Sequence, residues 1–172
     1  MKKIQSVQDI FLNELKDVYS AEKQLTRALQ KMAKKASDEK LAQGFQKHLE
    51  QTKEQIARLE KIFQKLKVNA SRVQKCKGME GILAEGEENL QQEVDEALRD
   101  VLLISAAQRA EHYEISAYGT VRTLAEQLGD KEAAKLLQQT LDEEMEMDKQ
   151  LTEVATSSVN PRAQEAGASA KG

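Results

Sequence analysis

Apolar positions recur at intervals of three and four along most of the chain, the spacing that keeps one face of a helix dry. The first stripe runs Phe11, Leu15, Val18, position 22, Leu25, Leu29 and Met32, and predicts a helix from Val7 to Ala36. Ser6 with Asp9 makes a capping-box-like start for it. Ser37 reads as the cap of a second helix, whose Asp38 and Glu39 suit the positive end of the dipole. Its stripe is Leu41, Phe45, position 48, Leu49, Thr52, Ile56, Leu59 and Phe63, ending near Leu66. From Lys67 to Lys77 the pattern lapses into a basic crossover, followed by a short amphipathic piece from Met79 to Leu90. Asp95 caps a third long helix, Glu96 to Leu128, along Leu103, Ile104, Ala107, positions 111 and 114, Tyr118, Val121 and Ala125. Gly129 stops it as a left-handed cap, and Asp130 opens a fourth with Ala133, Leu137, Thr140, position 144, Met147, Leu151 and Val154.

Four long helices, with a short fifth in the crossover between the second and third, describe an all-α, ferritin-like four-helix bundle. The bundle is expected over residues 1–156, and the polar, small-residue segment 157–172 around Pro161 is expected to be a disordered tail. Composition narrows the classes further. Aromatics at 3% with no Trp argue against an aromatic-rich β-sandwich, and a net charge of -3 argues against a general nucleic-acid binder. No apolar run approaches the roughly 20 residues that span a bilayer. The polar start at Met1 does not lead into a signal-peptide core, so a cytoplasmic location is expected. A single cysteine, Cys76, excludes an intrachain disulfide and a multi-cysteine zinc site, and with only His48 and His112 one chain cannot supply three imidazoles.

The informative positions are those where a core stripe meets a charge. Position 22 is Glu22, positions 111 and 114 are Glu111 and Glu114, and position 144 is Glu144 with Asp148 one turn on. The matching face of the second helix holds His48, Thr52 and Gln55. Four carboxylates near one axis repel each other unless they are protonated, turned to the surface, or neutralised by a divalent cation. Hard oxygens with few imidazoles suit iron or manganese, with magnesium and calcium left open. The bland alternative is a solvated position for each acid, with Glu143 or Glu146 inward instead of Glu144, and a structural role for His48. His112, about 100° round from Glu111, is assigned to the surface. Tyr19 and Tyr118 lie near the level of the acids, where they either pack or hydrogen-bond to them. Met145 and Met147 read as rim and core. Cys76 reads as a plain loop cysteine; the alternative is a reactive or dimer-linking thiol whose pKa the flanking Lys75 and Lys77 lower.

The stretches YSAEKQLTRALQKMAKKAS, KGMEGILAEGEENL, AAQRAEHYEISAYGTVRTLAEQLGD and AAKLLQQTLDEEMEMDKQLTEVA resemble the YciF/YciE family of bacterial stress proteins, from about Ile4 to Asn160. The resemblance implies a ferritin-like bundle related in fold to rubrerythrin-type proteins, paired as a homodimer, with a metal site. The family's acids fall on Glu22, on Glu111 and Glu114, and on Glu143, Glu144 and Asp148. Helix two departs from the family's His-Leu-x-Glu-Thr, reading His48-Leu49-Glu50-Gln51-Thr52, so that Gln51 weakens a second metal position. The expected ligands are Glu22, His48, Glu111, Glu114, Glu144 and Asp148, holding one or two ions of iron or manganese in a stress-response protein. The alternative expectation is a non-catalytic homodimeric scaffold with no working metal site.

Overall fold

The computed structural model describes residues 4–71 and 73–169; the polar start at 1–3 and the last residues of the expected tail, 170–172, fall outside it. All regular structure among the described residues is helical: α1 (Val7–Lys35), α2 (Glu39–Lys65), α3 (Lys77–Leu90), α4 (Glu96–Gln127), α5 (Lys131–Val154), a π turn (Ala155–Val159) and α6 (Asn160–Ser169). Helices α1 and α2 form one hairpin and α4 and α5 the other, and the hairpins close through α1 on α4 and α2 on α5.

Caps explain where the helices begin. Side chains of Ser6, Asp38, Asp95 and Asp130 accept from backbone N–H groups in the first turns of α1, α2, α4 and α5. The cap of α2 is therefore Asp38 and not Ser37. Ser37 instead gives its N–H and its hydroxyl to Asp100 at 2.9 and 2.6 Å. Gly129, at φ 76°, ends α4 with its own N–H on Glu126 and that of Asp130 on Ala125. The same turn ends α2, but there Lys67 occupies the left-handed position at φ 54°, where a side chain is strained.

The core is divided. One apolar cluster gathers Leu25, Leu29, Leu41, Phe45, Leu103 and Leu151, and the other Phe11, Leu15, Phe63, Tyr118, Val121 and Leu137. Each long helix runs through both, so the residues between the clusters (near 22 on α1, 48–55 on α2, 111–114 on α4 and 144 on α5) form a layer across the waist. The crossover helix α3 lies over α1 and α4. Gly78 is what lets it settle there, because a Cβ at that position would meet the Tyr113 ring at 2.7 Å.

Residues 157–169 of the expected tail are instead part of the fold. Helix α5 passes through the π turn into α6, and Val159, fully buried, joins the first cluster with Ala155. Pro161 has no N–H for the helical ladder, and the wide turn just before it is where that ladder is already opened. Polar contacts then fasten the segment: Ser158 donates to Asp38 at 2.6 Å, and Arg162 reaches Asp100 at 2.5 Å. A segment of small polar residues passes for a disordered one because its anchors are two hydrogen-bonding side chains and a single valine.

Asp100, fully buried, thus accepts from Ser37, from the Asp38 N–H at 2.8 Å and from Arg162. Its replacement, Asp100→Ala, should cost about 3 kcal/mol, because it orphans buried donors around the start of α2 and frees α6. Chemical denaturation of the two proteins measures this, and a change below about 1 kcal/mol would show that the segment is not fastened here.

Candidate metal centre

The layer between the two apolar clusters is built from mid-helix positions, one or two from each long helix. Glu111 and Glu114, three apart, share a face of α4. Glu22 comes from α1, His48 from α2 and Glu144 from α5. All five are buried to 1% exposure or less. One donor atom from each of His48, Glu111, Glu114 and Glu144 lies within 4.8 Å of the others. His48 stands between two acids, its Nδ1 3.2 Å from Glu111 Oε1 and its Nε2 3.2 Å from Glu144 Oε2. Neither approach is aligned as a hydrogen bond. Glu22 accepts a short hydrogen bond from the Tyr118 hydroxyl through Oε1.

Hydrogen-bond satisfaction singles this layer out. Buried polar side-chain atoms are nearly always partnered. Among the described residues twelve are not, and nine of those twelve belong to Glu22, His48, Glu111, Glu114 and Glu144. Such a group needs protons or a cation in place of partners. Without a cation, protons fill the need unevenly. Burial pushes Glu111 up to about 8, with His48 opposing the rise. Burial and the charge of Glu144 raise Glu22 well above the usual carboxylate range, and burial with Glu22 and Glu144 does the same to Glu114. Burial together with Glu22 also raises the Tyr118 phenol. Against the cost of burial, Glu111 and Glu144 hold a proton on His48, and His48 holds Glu144 ionised.

The donor set fits a hard divalent cation: the three carboxylates and one imidazole of the 4.8 Å group, with no thiolate, while Glu22 falls outside that group and adjoins it as a fourth buried carboxylate. His48 would offer one nitrogen to the ion and donate the other N–H to a carboxylate, an arrangement that orients metal-bound histidines generally.

Asp148 stands apart from this group. It lies one turn beyond Glu144, where Met147 and Leu151 fill the core. Its carboxylate, 24% exposed, takes Gln108 Nε2 at 3.0 Å and faces His112 Nε2 at 3.4 Å. Of the three neighbouring acids on α5, Glu144 is the inward one; Glu143 binds Arg58, and Glu146 is exposed and accepts from Gln150. Gln51 turns toward a surface hollow, while His48, Thr52 and Gln55 form the buried face of α2. The tyrosines divide, with Tyr118 on Glu22 and Tyr19 on Glu60 at 2.8 Å, edge-on to Phe63. Met147 is core and Met145 exposed.

Cys76 differs from its sequence reading. It is buried and caps α3, with Asp17 Oδ2 at 3.0 Å and Tyr113 Oη at 2.9 Å from its sulfur. Burial and the Asp17 carboxylate push the thiol up, while Lys75 is engaged with Glu80 at 2.6 Å. Sequence reasoning also missed the pairing of Arg58 with Glu143. The signal for it was a long cation one position from the buried Leu59, on the border of the α2 face.

Residues 6–164 match a family described as a domain of unknown function, DUF892. The chain is 47% identical over 161 residues to Protein YciF of Escherichia coli strain K12, covering 94% of this chain and 97% of that one. The crystal structure of the E. coli stress protein YciF superposes with a TM-score of 0.86, covering 91% of this chain and 99% of the other. YcfI from Rhodopseudomonas palustris, 36% identical, gives a TM-score of 0.82 over 88% of this chain and 96% of its own. A Xanthomonas campestris protein with 20% identity shares the fold at a TM-score of 0.74, covering 94% of this chain and 98% of its own.

Proposed function

Since the chain belongs to the DUF892 family, together with the stress protein YciF, we propose that it is a stress-response protein built around a buried carboxylate–histidine centre for iron or manganese. The observation that carries this reading is the set of nine unpartnered buried donor atoms on Glu22, His48, Glu111, Glu114 and Glu144. Only a cation satisfies that many oxygens at neutral pH without keeping several of them protonated.

In this reading the five residues are the ligands and Tyr118 holds Glu22 in place through its hydroxyl. A bound iron or manganese would supply one-electron chemistry toward oxygen or peroxide. The chain's own part is to keep the ligands dry, to fix their rotamers by packing between two apolar clusters, and to exchange protons for the ion as it binds. Asp148, outside the buried group, is assigned no ligand role. The homodimer that the resemblance implies belongs to the same proposal, and the sedimentation mass of the same preparation reads it.

Elemental analysis of untagged protein, produced with iron and manganese both available, tests the centre. The expected result is one or two ions per chain, lost in a Glu22→Ala, Glu144→Ala double variant. No iron or manganese in the unaltered protein, with a melting temperature indifferent to chelation, would leave the scaffold reading in its place.

A further inference from the structure

The five candidate ligands are closed off from solvent, so an ion must pass a barrier to reach them. We propose that Arg58 and Glu143 form the gate through which a divalent cation enters and leaves this centre. The inference rests on the metal reading above and adds the route and the residues that control it.

Arg58, on α2, holds Glu143, on α5, by two parallel hydrogen bonds, Nη1 to Oε2 at 2.6 Å and Nη2 to Oε1 at 2.8 Å. Nη1 also donates to Thr140 Oγ1 at 3.1 Å, and Glu54 lies 3.6 Å from Nη2 on the outer side. The guanidinium therefore plugs the seam between α2 and α5, with its side chain 13% exposed and that of Glu143 21% exposed. On its outer side Glu143 lines a surface hollow of about 740 Å³, together with Gln51 and Glu146 and with the cations Arg122, Lys131 and Lys135 among others. Inside the plug is Gln55, whose Nε2 donates to Glu143 Oε2 at 3.2 Å. Glu144, a ligand of the centre, is the next residue along α5.

A second, independent feature marks the path. Of the three unpartnered buried atoms outside the centre among the described residues, two are arginine Nε atoms and the third is Gln55 Oε1. A carbonyl oxygen is a cation donor, and this one lies on a side chain only 1% exposed that also reaches Glu143. Glu143, the Gln55 side-chain amide and Glu144 thus follow one another from the hollow to the centre. No comparable step lies under the Asp148–Gln108–His112 contacts, where Met147 and Leu151 fill the core behind.

The plug opposes entry in two ways: a fixed positive charge repels an incoming cation, and it occupies the carboxylate that would receive it. Passage requires Glu143 to release Arg58, which swings out toward Glu54, and to take the ion. Reversal of the same steps lets the ion out. Rates, and not equilibrium affinity, should then depend on these two residues.

Stopped-flow mixing of the metal-free protein with Co2+, followed by visible absorbance, measures uptake, and transfer from the loaded protein to EDTA measures release. Arg58→Met should speed both by roughly tenfold, since a unit charge beside the path is gone, and leave the equilibrium Kd within about twofold. Glu143→Gln, which keeps the cation in the seam and removes the receiving carboxylate, should slow both by about tenfold. Should Arg58→Met fail to fold, Glu143→Gln decides alone. Rates within about twofold of the unaltered chain in every folded variant would overturn the gate, as would a changed Kd with an unchanged uptake rate, the mark of a strut between helices. An unaltered chain that binds no Co2+ at equilibrium overturns the metal reading itself and the gate with it.

Discussion

Stripped of metal, the protein should lose thermal stability as pH rises from about 5 to 8. Glu22, Glu111 and Glu114 keep their protons in the fold to higher pH than in the unfolded chain, Glu111 to about 8. The stability linked to a raised carboxylate is complete below its unfolded value and is lost as pH climbs to its folded one. For one group held at about 8 the loss over this window is on the order of 4 kcal/mol, which for a domain of this size is roughly 10 °C. His48, raised by its two acids, acts with the same sign. Glu144 acts oppositely: held low by His48, it costs stability only when pH falls below the ordinary carboxylate range. A bound cation takes the place of the protons, so manganese-loaded protein should gain stability over the same interval. Melting temperatures at pH 5, 6, 7 and 8, in EDTA and in excess Mn2+, read both slopes. A metal-free melting temperature that holds level or rises across the interval would mean the acids are not buried as described.

Glu114→Leu should strengthen the metal-free protein while abolishing most of its metal retention. Neither oxygen of Glu114 has a partner, its burial is complete, and leucine is of similar volume. Replacing such a buried acid by an apolar side chain removes a desolvation cost and breaks no bond, a gain of about 2 kcal/mol or roughly 5 °C. Glu144→Leu should also lose the metal, but should weaken the metal-free protein instead of strengthening it. It removes the ionised acid that faces the His48 proton, at a cost of about 3 kcal/mol. The pair of melting curves at pH 7 in EDTA, with metal content by elemental analysis, separates the roles. If the two variants fall in melting temperature alike, Glu114 is an ordinary structural partner and not a ligand held in waiting.

The long helices were readable because their apolar stripes, caps and the Gly129 stop are local signals, and four of the charged breaks in those stripes are the acids that meet at the waist. What escaped depends on partners distant in sequence. Ser37 has the chemistry of a cap, and only Asp100, on another helix, draws it away from that role. Asp148 shares the approximate face of Glu144, but one turn along α5 the opposing helices present apolar side chains to Met147 and Leu151. Cys76 between two lysines looks activated until Asp17 and Tyr113 are brought beside it. The segment after Val154 carries too little apolar surface to betray a helix, and its hold comes from Asp38 and Asp100. The Arg58–Glu143 pair spans 85 residues and leaves no periodic trace.

A core parted by a polar waist has a consequence for how the molecule breathes. Each apolar cluster is cemented by its own contacts, while the layer between them carries nine buried polar atoms without a hydrogen-bond partner. In the metal-free chain the middle of the bundle should therefore part more readily than the apolar clusters on either side, with the two ends fluctuating as separate cooperative units. An ion held by four helices at once, as proposed, would convert two loosely hinged halves into a single block.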